Sequence, residues 1–175
     1  MLRTRLACIL LSLFQSTALI QADTPDEAGL FEWSSLPDLP DHGIGGAYAS
    51  KVGGRLVIGG GTYFDGEGWD SRKRWSRRIL SLDLSEENAT WRECEVTLSR
   101  PCAYGVSVSL PDGSGLWMGG SHPDGHLDLV VHLEWIDGSL RLTLLEPLPF
   151  PLAYAAGAVV GDVIYLQGGQ IDSSG

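Results

Sequence analysis

Three segments of the chain share one ending, a short apolar run that closes on a pair of glycines. They are residues 52–61, 115–120 and 160–169. Their spacing is roughly 50–60 residues, which is close to the period of known β-propeller repeats. Glycine has no Cβ, so a glycine pair permits positive φ and a close backbone approach where a strand meets a loop. The pattern predicts a series of similar, small β-sheets.

A strand rich in small residues precedes each of these runs, at residues 45–50, 103–108 and 153–159. A tyrosine recurs in all three, and we take Tyr48, Tyr104 and Tyr154 as equivalent positions. Strands that crowd around a common axis need small side chains. We therefore expect these three strands to be the innermost strands of their sheets.

Outer strands follow the first two units. Residues 78–84 alternate apolar and polar side chains, as a half-buried strand does. Residues 90–94 predict the next strand, with Trp91 facing the neighbouring sheet. In the second unit, residues 127–135 and 139–145 predict a hairpin that turns at Asp137-Gly138.

Proline-containing linkers lead into each small-residue strand, at residues 34–40, 98–101 and 146–151. Proline cannot donate to a strand ladder, so these linkers mark the crossings between sheets. Together with the repeat, they predict an all-β, kelch-type β-propeller. A β-sandwich of short strands is the alternative.

Propeller blades have four strands each, and a complete ring typically has four to eight blades. We expect blade one at about residues 41–97, blade two at about 100–147 and the start of blade three at 150–175. The run Phe31-Glu32-Trp33 resembles an orphan strand that closes the last blade. The predicted domain, residues 23–175, is thus an incomplete propeller of about two and a half blades from a truncated or partial chain.

Residues 1–22 have the pattern of a secretory signal peptide. Arg3 and Arg5 precede a short apolar stretch, and Ala22 offers a small residue for cleavage. The stretch is too short for a transmembrane helix. We therefore expect export, to the periplasm or outside the cell, and no membrane association after cleavage.

The net charge of -10 makes nucleic acid and anionic membranes poor partners. The long loop at residues 62–78 is an exception, because it combines aromatic rings with arginines and a lysine. Aromatic rings can stack on the faces of a ligand, and cations suit a carboxylate. The candidate substrate-binding residues are Tyr63, Phe64, Trp69, Arg72, Lys73 and Trp75 in this loop, with His42 and Arg100 before inner strands.

Cysteine spacing gives no zinc site, and we expect no metal and no cofactor. In an oxidising compartment Cys94 and Cys102 could pair, or both could remain buried thiols. The spacing of His122 and His126 with Asp124 and Asp128 could suggest a metal, but a turn rich in glycine and proline is the commoner explanation, and the two histidines are weaker site candidates.

An ordered set of segments resembles one enzyme family. Residues 42–49, 59–66 and 69–75 are similar to the opening of the cyclically permuted sialic acid mutarotases, which are N-acetylneuraminate epimerase-like kelch proteins. Residues 100–108 and 152–158 resemble that family's second and third blades. The resemblance implies an isomerase that accelerates interconversion of the α and β anomers of a sialic acid.

The resemblance implies that a Glu with a nearby Arg moves the proton at the anomeric centre. The corresponding segment would fall beyond Gly175, so the catalytic residues stay unassigned. Glu67 and Arg72 have the right residue types but lie in the loop of blade one, and the role is not transferred to them. The alternative function is a secreted, non-catalytic kelch module that binds a glycan or a protein.

Overall fold

The computed structural model describes residues 33–66 and 70–172, which form fourteen β-strands. The predicted signal peptide, Phe31, Glu32, Glu67 and Trp69 lie outside these ranges. Within them, no helix is long and apolar enough to cross a membrane. In chain order the strands are β1 (Tyr48–Val52), β2 (Arg55–Gly59), β3 (Thr62–Asp65), β4 (Arg72–Trp75), β5 (Ile79–Asp83), β6 (Arg92–Glu93), β7 (Val106–Ser109), β8 (Gly115–Met118), β9 (Ser121–His122), β10 (Gly125–His126), β11 (Val130–Ile136), β12 (Ser139–Leu144), β13 (Ala153–Val160) and β14 (Val163–Gln170).

The strands form two four-stranded antiparallel sheets and three two-stranded ones. The first large sheet has the order β1-β2-β5-β6, and the second has the order β7-β8-β11-β12 with β7 at its edge. Strands β13 and β14 pair as a third sheet. Hairpins β3–β4 and β9–β10 extend the first and second sheets at equivalent places.

The sheets fan out from their first strands. Strand β1 contacts β7, and β7 contacts β13. The Ala49 and Lys51 N–H groups donate to Ser107 Oγ and Ser109 Oγ at 3.0 and 2.8 Å, which joins the first two inner strands. A sandwich would stack whole sheets face to face, so the predicted radial arrangement is confirmed.

One hydrophobic core lies between the first two sheets. Trp117 is fully buried there, stacks on Tyr48 at 5.3 Å between ring centroids, and donates from Nε1 to Ser50 Oγ at 3.0 Å. The Tyr48 hydroxyl donates to Gly119 O at 2.7 Å. Burial, with smaller effects from Cys102, raises the pKa of Tyr48 far above its ordinary value, so this phenol remains a neutral donor.

A second core lies between the second and third sheets. Val106, Val108 and Met118 are buried there, and Ile164 and Leu166 of β14 pack against them. The same inner-strand positions thus face the next sheet in both cases, which is what a repeating blade requires.

The glycine pairs set the distance between sheets. Gly61 N–H donates to Cys102 O at 2.8 Å, and Gly120 N–H donates to Leu152 O at 2.7 Å. A Cβ on Gly60 would lie 2.3 Å from Cys102 O, and one on Gly119 would lie 2.1 Å from Leu152 O. Side chains are excluded where the chain enters the next sheet.

The predicted equivalence is confirmed for Tyr104 and Tyr154, but Tyr48 lies two residues further along its own strand. Gly45 bridges to Thr62 and Ala103 bridges to Ser121 at matching places, so Gly46, not Tyr48, corresponds to Tyr104. Tyr154 follows Ala153, which pairs with Gln170 in the same way. Tyr48 pairs with Gly59, which precedes the first glycine pair, and Val106 pairs with Met118, which precedes the second. Tyr48 therefore corresponds to Val106.

Two local expectations also need correction. Residues 62–78 are not a plain loop, because they contain the hairpin β3–β4. Trp91 donates from Nε1 to Pro37 O at 2.8 Å, so it contacts the linker before β1. The expected closing strand stays a prediction, because Phe31 and Glu32 lie outside the described residues. The hairpin turn at Asp137-Gly138 is confirmed, with φ of 51° and 79°.

Cys94 and Cys102 are both free thiols. Burial raises the pKa of each thiol above its ordinary value, which favours the unreactive protonated form. The structure therefore supports the free-thiol alternative, with Cys102 buried and Cys94 half-buried.

Two alanine substitutions at glycine test the close approach between sheets. Gly119 and Gly138 both have positive φ, but only Gly119 faces a backbone carbonyl, since nothing lies within 4 Å of a Cβ on Gly138. We expect Gly138→Ala to lower the free energy of unfolding by about 1–2 kcal/mol from backbone strain alone. Gly119→Ala should cost at least about 2 kcal/mol more in urea unfolding. Equal losses would mean that the carbonyl contact is unimportant.

Candidate functional site

Several predicted site residues meet at one end of the sheets, which we call the mouth. The mouth is formed by the hairpins β3–β4 and β9–β10 and by the residues that enter β1, β7 and β13. These segments meet because each hairpin follows the second strand of a sheet, next to the start of its first strand. The geometry is the usual one for a ligand site on a propeller.

Strand alternation divides the side chains of hairpin β3–β4 between two faces. Thr62 pairs with Trp75 and Phe64 pairs with Lys73, so these four side chains share one face. Tyr63, Asp65, Arg72 and Arg74 lie on the other face. The predicted cluster of rings and cations is therefore split in two.

The first face packs against Tyr104. The Tyr104 and Thr62 hydroxyls share a hydrogen bond of 2.9 Å, and the Trp75 ring meets the Tyr104 ring edge-on with 5.9 Å between centroids. The Lys73 ammonium lies 4.6 Å from the centroid of Trp75 and 4.7 Å from that of Tyr104. One cation thus sits over two aromatic rings, a favourable cation–π arrangement.

The surroundings of Tyr104 change its acidity. Partial burial acts to raise the pKa of this phenol, but the hydrogen bond with Thr62 and the ammonium of Lys73 outweigh burial. The pKa of Tyr104 consequently lies below its ordinary value of 10.0.

A row of rings continues from Tyr104 across the mouth. Tyr154 stacks on Tyr104 at 4.9 Å, and His126 meets Tyr154 edge-on at 5.8 Å. On the other side the Tyr104 ring lies over Gly46, where a Cβ would be 2.3 Å from the ring. This position, at the entrance to each inner strand, is a tyrosine in the second and third sheets. In the first sheet it must be glycine, because the Tyr104 ring occupies the space of a side chain.

Tyr104 and Tyr154 both have left-handed backbones, with φ of 62° and 59°. This conformation is strained for a bulky residue and costs roughly 1–3 kcal/mol. A hydrogen bond holds each one, because Tyr104 N–H donates to Gly46 O and Tyr154 N–H donates to Tyr104 O, both at 2.8 Å. Strained residues of this kind concentrate at binding and catalytic sites.

The second face of the hairpin meets the linker before β1. His42 packs against Tyr63 with 3.9 Å between ring centroids. They line a shallow hollow of about 200 Å³, together with Pro40, Ile44, Trp75, Ser76, Arg77 and Arg78. His42 and Tyr63 thus lie beside the mouth rather than on the face with Tyr104.

Most arginines of the predicted cluster already have partners. Arg74 forms an ion pair with Asp65 at 3.0 Å, and Arg78 pairs with Asp41 and Glu93, both at 2.8 Å. Hydrogen bonds from Arg77 reach Thr97 Oγ1. In the described ranges, Lys73 is the cation of this cluster that lies over aromatic rings.

The other candidates are dispersed. Phe64 is 66% exposed on the ring-bearing face of the hairpin, and Arg72 and Arg100 are exposed. His122 contacts Asp124 at 3.2 Å. No group of three potential metal ligands is found among the residues that the structure describes.

Sequence reasoning missed Thr62, Tyr104 and Tyr154 as site residues. A signal for the tyrosines was present, since Pro101 and Pro151 each begin a Pro-x-Ala-Tyr run that leads into an inner strand. Counting from the proline gives the correct register. The glycine at position 46 hides the motif in the first unit.

A larger hollow of about 430 Å³ lies at the opposite end of the first sheet. Its wall contains Leu36, Pro37 and Leu84, with the carboxylates of Asp83, Glu86 and Glu87. Carboxylates repel an anionic ligand. The mouth, which contains Lys73, therefore suits an anionic ligand better.

Comparisons with known proteins agree with this architecture, although no family model matches the chain. It is 32% identical over 120 residues to N-acetylneuraminate epimerase 1 of Escherichia coli O6:H1, covering 63% of this chain and 32% of that protein. It is 28% identical over 131 residues to N-acetylneuraminate epimerase of Yersinia enterocolitica serotype O:8, with the same two coverages of 63% and 32%. The chain thus spans about a third of the length of these curated relatives.

The solved structure of YjhT matches with a TM-score of 0.57 at 17% sequence identity, covering 79% of this chain and 42% of that one. With the radial sheets, this match defines an incomplete kelch-type β-propeller. The two curated relatives confirm the resemblance of this part of the chain to the N-acetylneuraminate epimerase-like family of sialic acid mutarotases.

His126 provides a test of how the mouth is assembled. Both of its ring nitrogens are buried without a hydrogen-bond partner among the described residues. An unsatisfied buried polar group costs about 1–3 kcal/mol, so His126→Phe should keep or raise the free energy of unfolding. As the matched control, His122→Phe loses its Asp124 contact and should lower that free energy by up to about 1 kcal/mol. A clear loss in His126→Phe would mean that its nitrogens have partners in solution.

Proposed function

We propose that the full-length protein is a carbohydrate isomerase that interconverts the α and β anomers of a sialic acid. In this proposal, the mouth supplies part of the sugar-binding wall. The main support is the Lys73 ammonium over Trp75 and Tyr104, in a chain similar to two proteins named N-acetylneuraminate epimerase.

The mouth has the chemistry that a sugar acid requires. The rings of Trp75, Tyr104 and Tyr154 offer apolar faces for the C–H bonds of a pyranose. Lys73 supplies a positive charge for the carboxylate within a chain of net charge -10. We assign attraction and orientation of the substrate to these four residues.

Anomer interconversion also requires proton transfer. The anomeric hydroxyl must lose a proton while the ring oxygen gains one, and the ring then closes again on the opposite face of the carbonyl. The family resemblance implies a base for this step. We assign that role to none of the described residues.

Export is part of the proposal. It rests on the pattern of residues 1–22, with Arg3 and Arg5 before an apolar stretch. Cell fractionation of the expressed full-length protein tests it, and retention of an uncleaved N-terminus in the cytoplasm would contradict it.

The activity has a direct assay. N-acetylneuraminate is released as its α anomer from a glycoside, and ¹H NMR follows the approach to anomeric equilibrium. We expect catalytic amounts of the full-length protein to accelerate that approach. If anomers equilibrate with the protein no faster than in buffer alone, even at high protein concentration, the assignment to this substrate fails. A non-catalytic glycan-binding module then becomes the better explanation for any binding that is observed.

Substitution of Trp75 tests the binding wall. Trp75→Ala removes one ring from beneath the ammonium and should raise KM by roughly tenfold, which corresponds to about 1.4 kcal/mol. Trp91→Ala is the matched control, because Trp91 is also half-buried but contacts the linker at Pro37. Similar KM values for the two variants would remove Trp75 from the site.

The charge of Lys73 is tested by salt and by a second lysine. Lys73→Gln should raise KM for the anionic sugar by roughly tenfold and weaken the dependence of KM on ionic strength. Lys51→Gln is the control, since Lys51 is exposed on β1 outside the mouth. A salt dependence that persists unchanged in Lys73→Gln would assign the carboxylate to another cation.

A further inference from the structure

One hydroxyl at the mouth is placed for more than binding. The Tyr104 hydroxyl lies 2.9 Å from Thr62 Oγ1, and the Lys73 ammonium lies over the Tyr104 ring. The residue is half-buried. Its backbone is strained, with φ of 62°, and its ring is held between Tyr154 and Trp75.

We propose that Tyr104 is a general acid in the anomer interconversion, donating its phenolic proton to the ring oxygen of the sugar. The inference rests on the proposed function and assigns a chemical role to a residue of the same site. Thr62 and Lys73 stabilise the phenolate that remains after transfer, and for Lys73 this role adds to its proposed contact with the sugar carboxylate.

The proton transfers balance over one turnover. The bond between the anomeric carbon and the ring oxygen breaks, and its electron pair goes to the ring oxygen, which takes the proton of Tyr104. The O–H electron pair of the anomeric hydroxyl becomes the carbonyl π bond, and its proton goes to a carboxylate base. The carbonyl group of the open chain then rotates to present its opposite face. The hydroxyl formed from the former ring oxygen attacks this face and returns its proton to the Tyr104 phenolate. The new anomeric oxygen recovers the proton held by the base.

The contacts of Tyr104 support an acid rather than a purely structural ring. Packing against Tyr154 and over Gly46 uses the ring faces and would be equally good with phenylalanine. The hydroxyl instead approaches Thr62, and the nearest charge is the cation of Lys73. Of the described groups packed against Tyr104, Lys73 is charged, Thr62 is polar, and Trp75 and Tyr154 contribute rings. A phenol beside a cation gives up its proton more readily.

The Tyr104→Phe variant distinguishes a loss of catalysis from a loss of substrate binding. In the full-length protein, Tyr104→Phe should reduce kcat for N-acetylneuraminate anomers about a hundredfold, the usual size of a general-acid effect. KM should change less than threefold, because the ring and its stacking remain. Tyr165→Phe, on a tyrosine of β14 that pairs with Ala158 outside the mouth, is the matched control and should keep wild-type kcat. Circular dichroism and thermal melting establish that each variant is folded.

The pH profile distinguishes an acid from a structural tyrosine. A phenol that must donate a proton loses activity as pH rises through its pKa, so kcat of the wild type should fall on the alkaline side. In Lys73→Gln the pKa of Tyr104 rises, and the alkaline limb should move to higher pH. Lys51→Gln should leave it in place. Ultraviolet difference titration of the phenolate near 295 nm should show one early-ionising tyrosine that is lost in Tyr104→Phe.

Each result has one meaning. An active wild type with full kcat in Tyr104→Phe overturns the acid role and leaves the proposed function standing. A fall in kcat with an alkaline limb unaltered by Lys73→Gln also overturns it, because a structural tyrosine would behave in that way. An inactive wild type contradicts the proposed function itself, together with the role that rests on it. A hundredfold fall with a shifted limb supports the proposal.

Discussion

A backbone contact between neighbouring sheets determines most of this architecture. Where each second strand ends, a glycine pair lets the N–H of Gly61 or Gly120 reach the carbonyl of the chain as it enters the next sheet. A side chain at Gly60 or Gly119 would overlap that carbonyl. The contact holds successive sheets close enough for Trp117 to fill the space between the first two. It also fixes where the next inner strand begins.

The position of the inner strands in turn creates the mouth. Each strand starts beside the glycine pair of the preceding sheet, so the residue at its entrance faces the common axis. Tyr104 and Tyr154 occupy this place with strained backbones, and each amide bonds to the equivalent residue of the sheet before it. Hairpin β3–β4 then brings Lys73 and Trp75 over the first of these rings. The scaffold thereby places a cation, a hydroxyl and a row of rings together, and these groups support the proposed binding of a sugar acid.

The sequence predicted the fold better than the site, for physical reasons. Glycine pairs and the Asp137-Gly138 turn act locally, so their structural meaning can be read without knowledge of distant residues. The tyrosine register could not be obtained in this way, because it depends on Gly46 making room for a ring from the next sheet. The loop arginines were predicted as one cluster, but strand alternation and pairing with Asp65, Asp41 and Glu93 separate them.

We propose that the acidic sugar binds at the mouth, on the rings beneath Lys73. Titration of the full-length protein with N-acetylneuraminate, followed by ¹H–¹⁵N NMR, tests this binding directly. We expect saturable shifts of the Tyr104 and Tyr154 amides and of the Trp75 indole N–H. Shifts confined to the hollow around Leu84 and Glu86, at the opposite end of the first sheet, would contradict it.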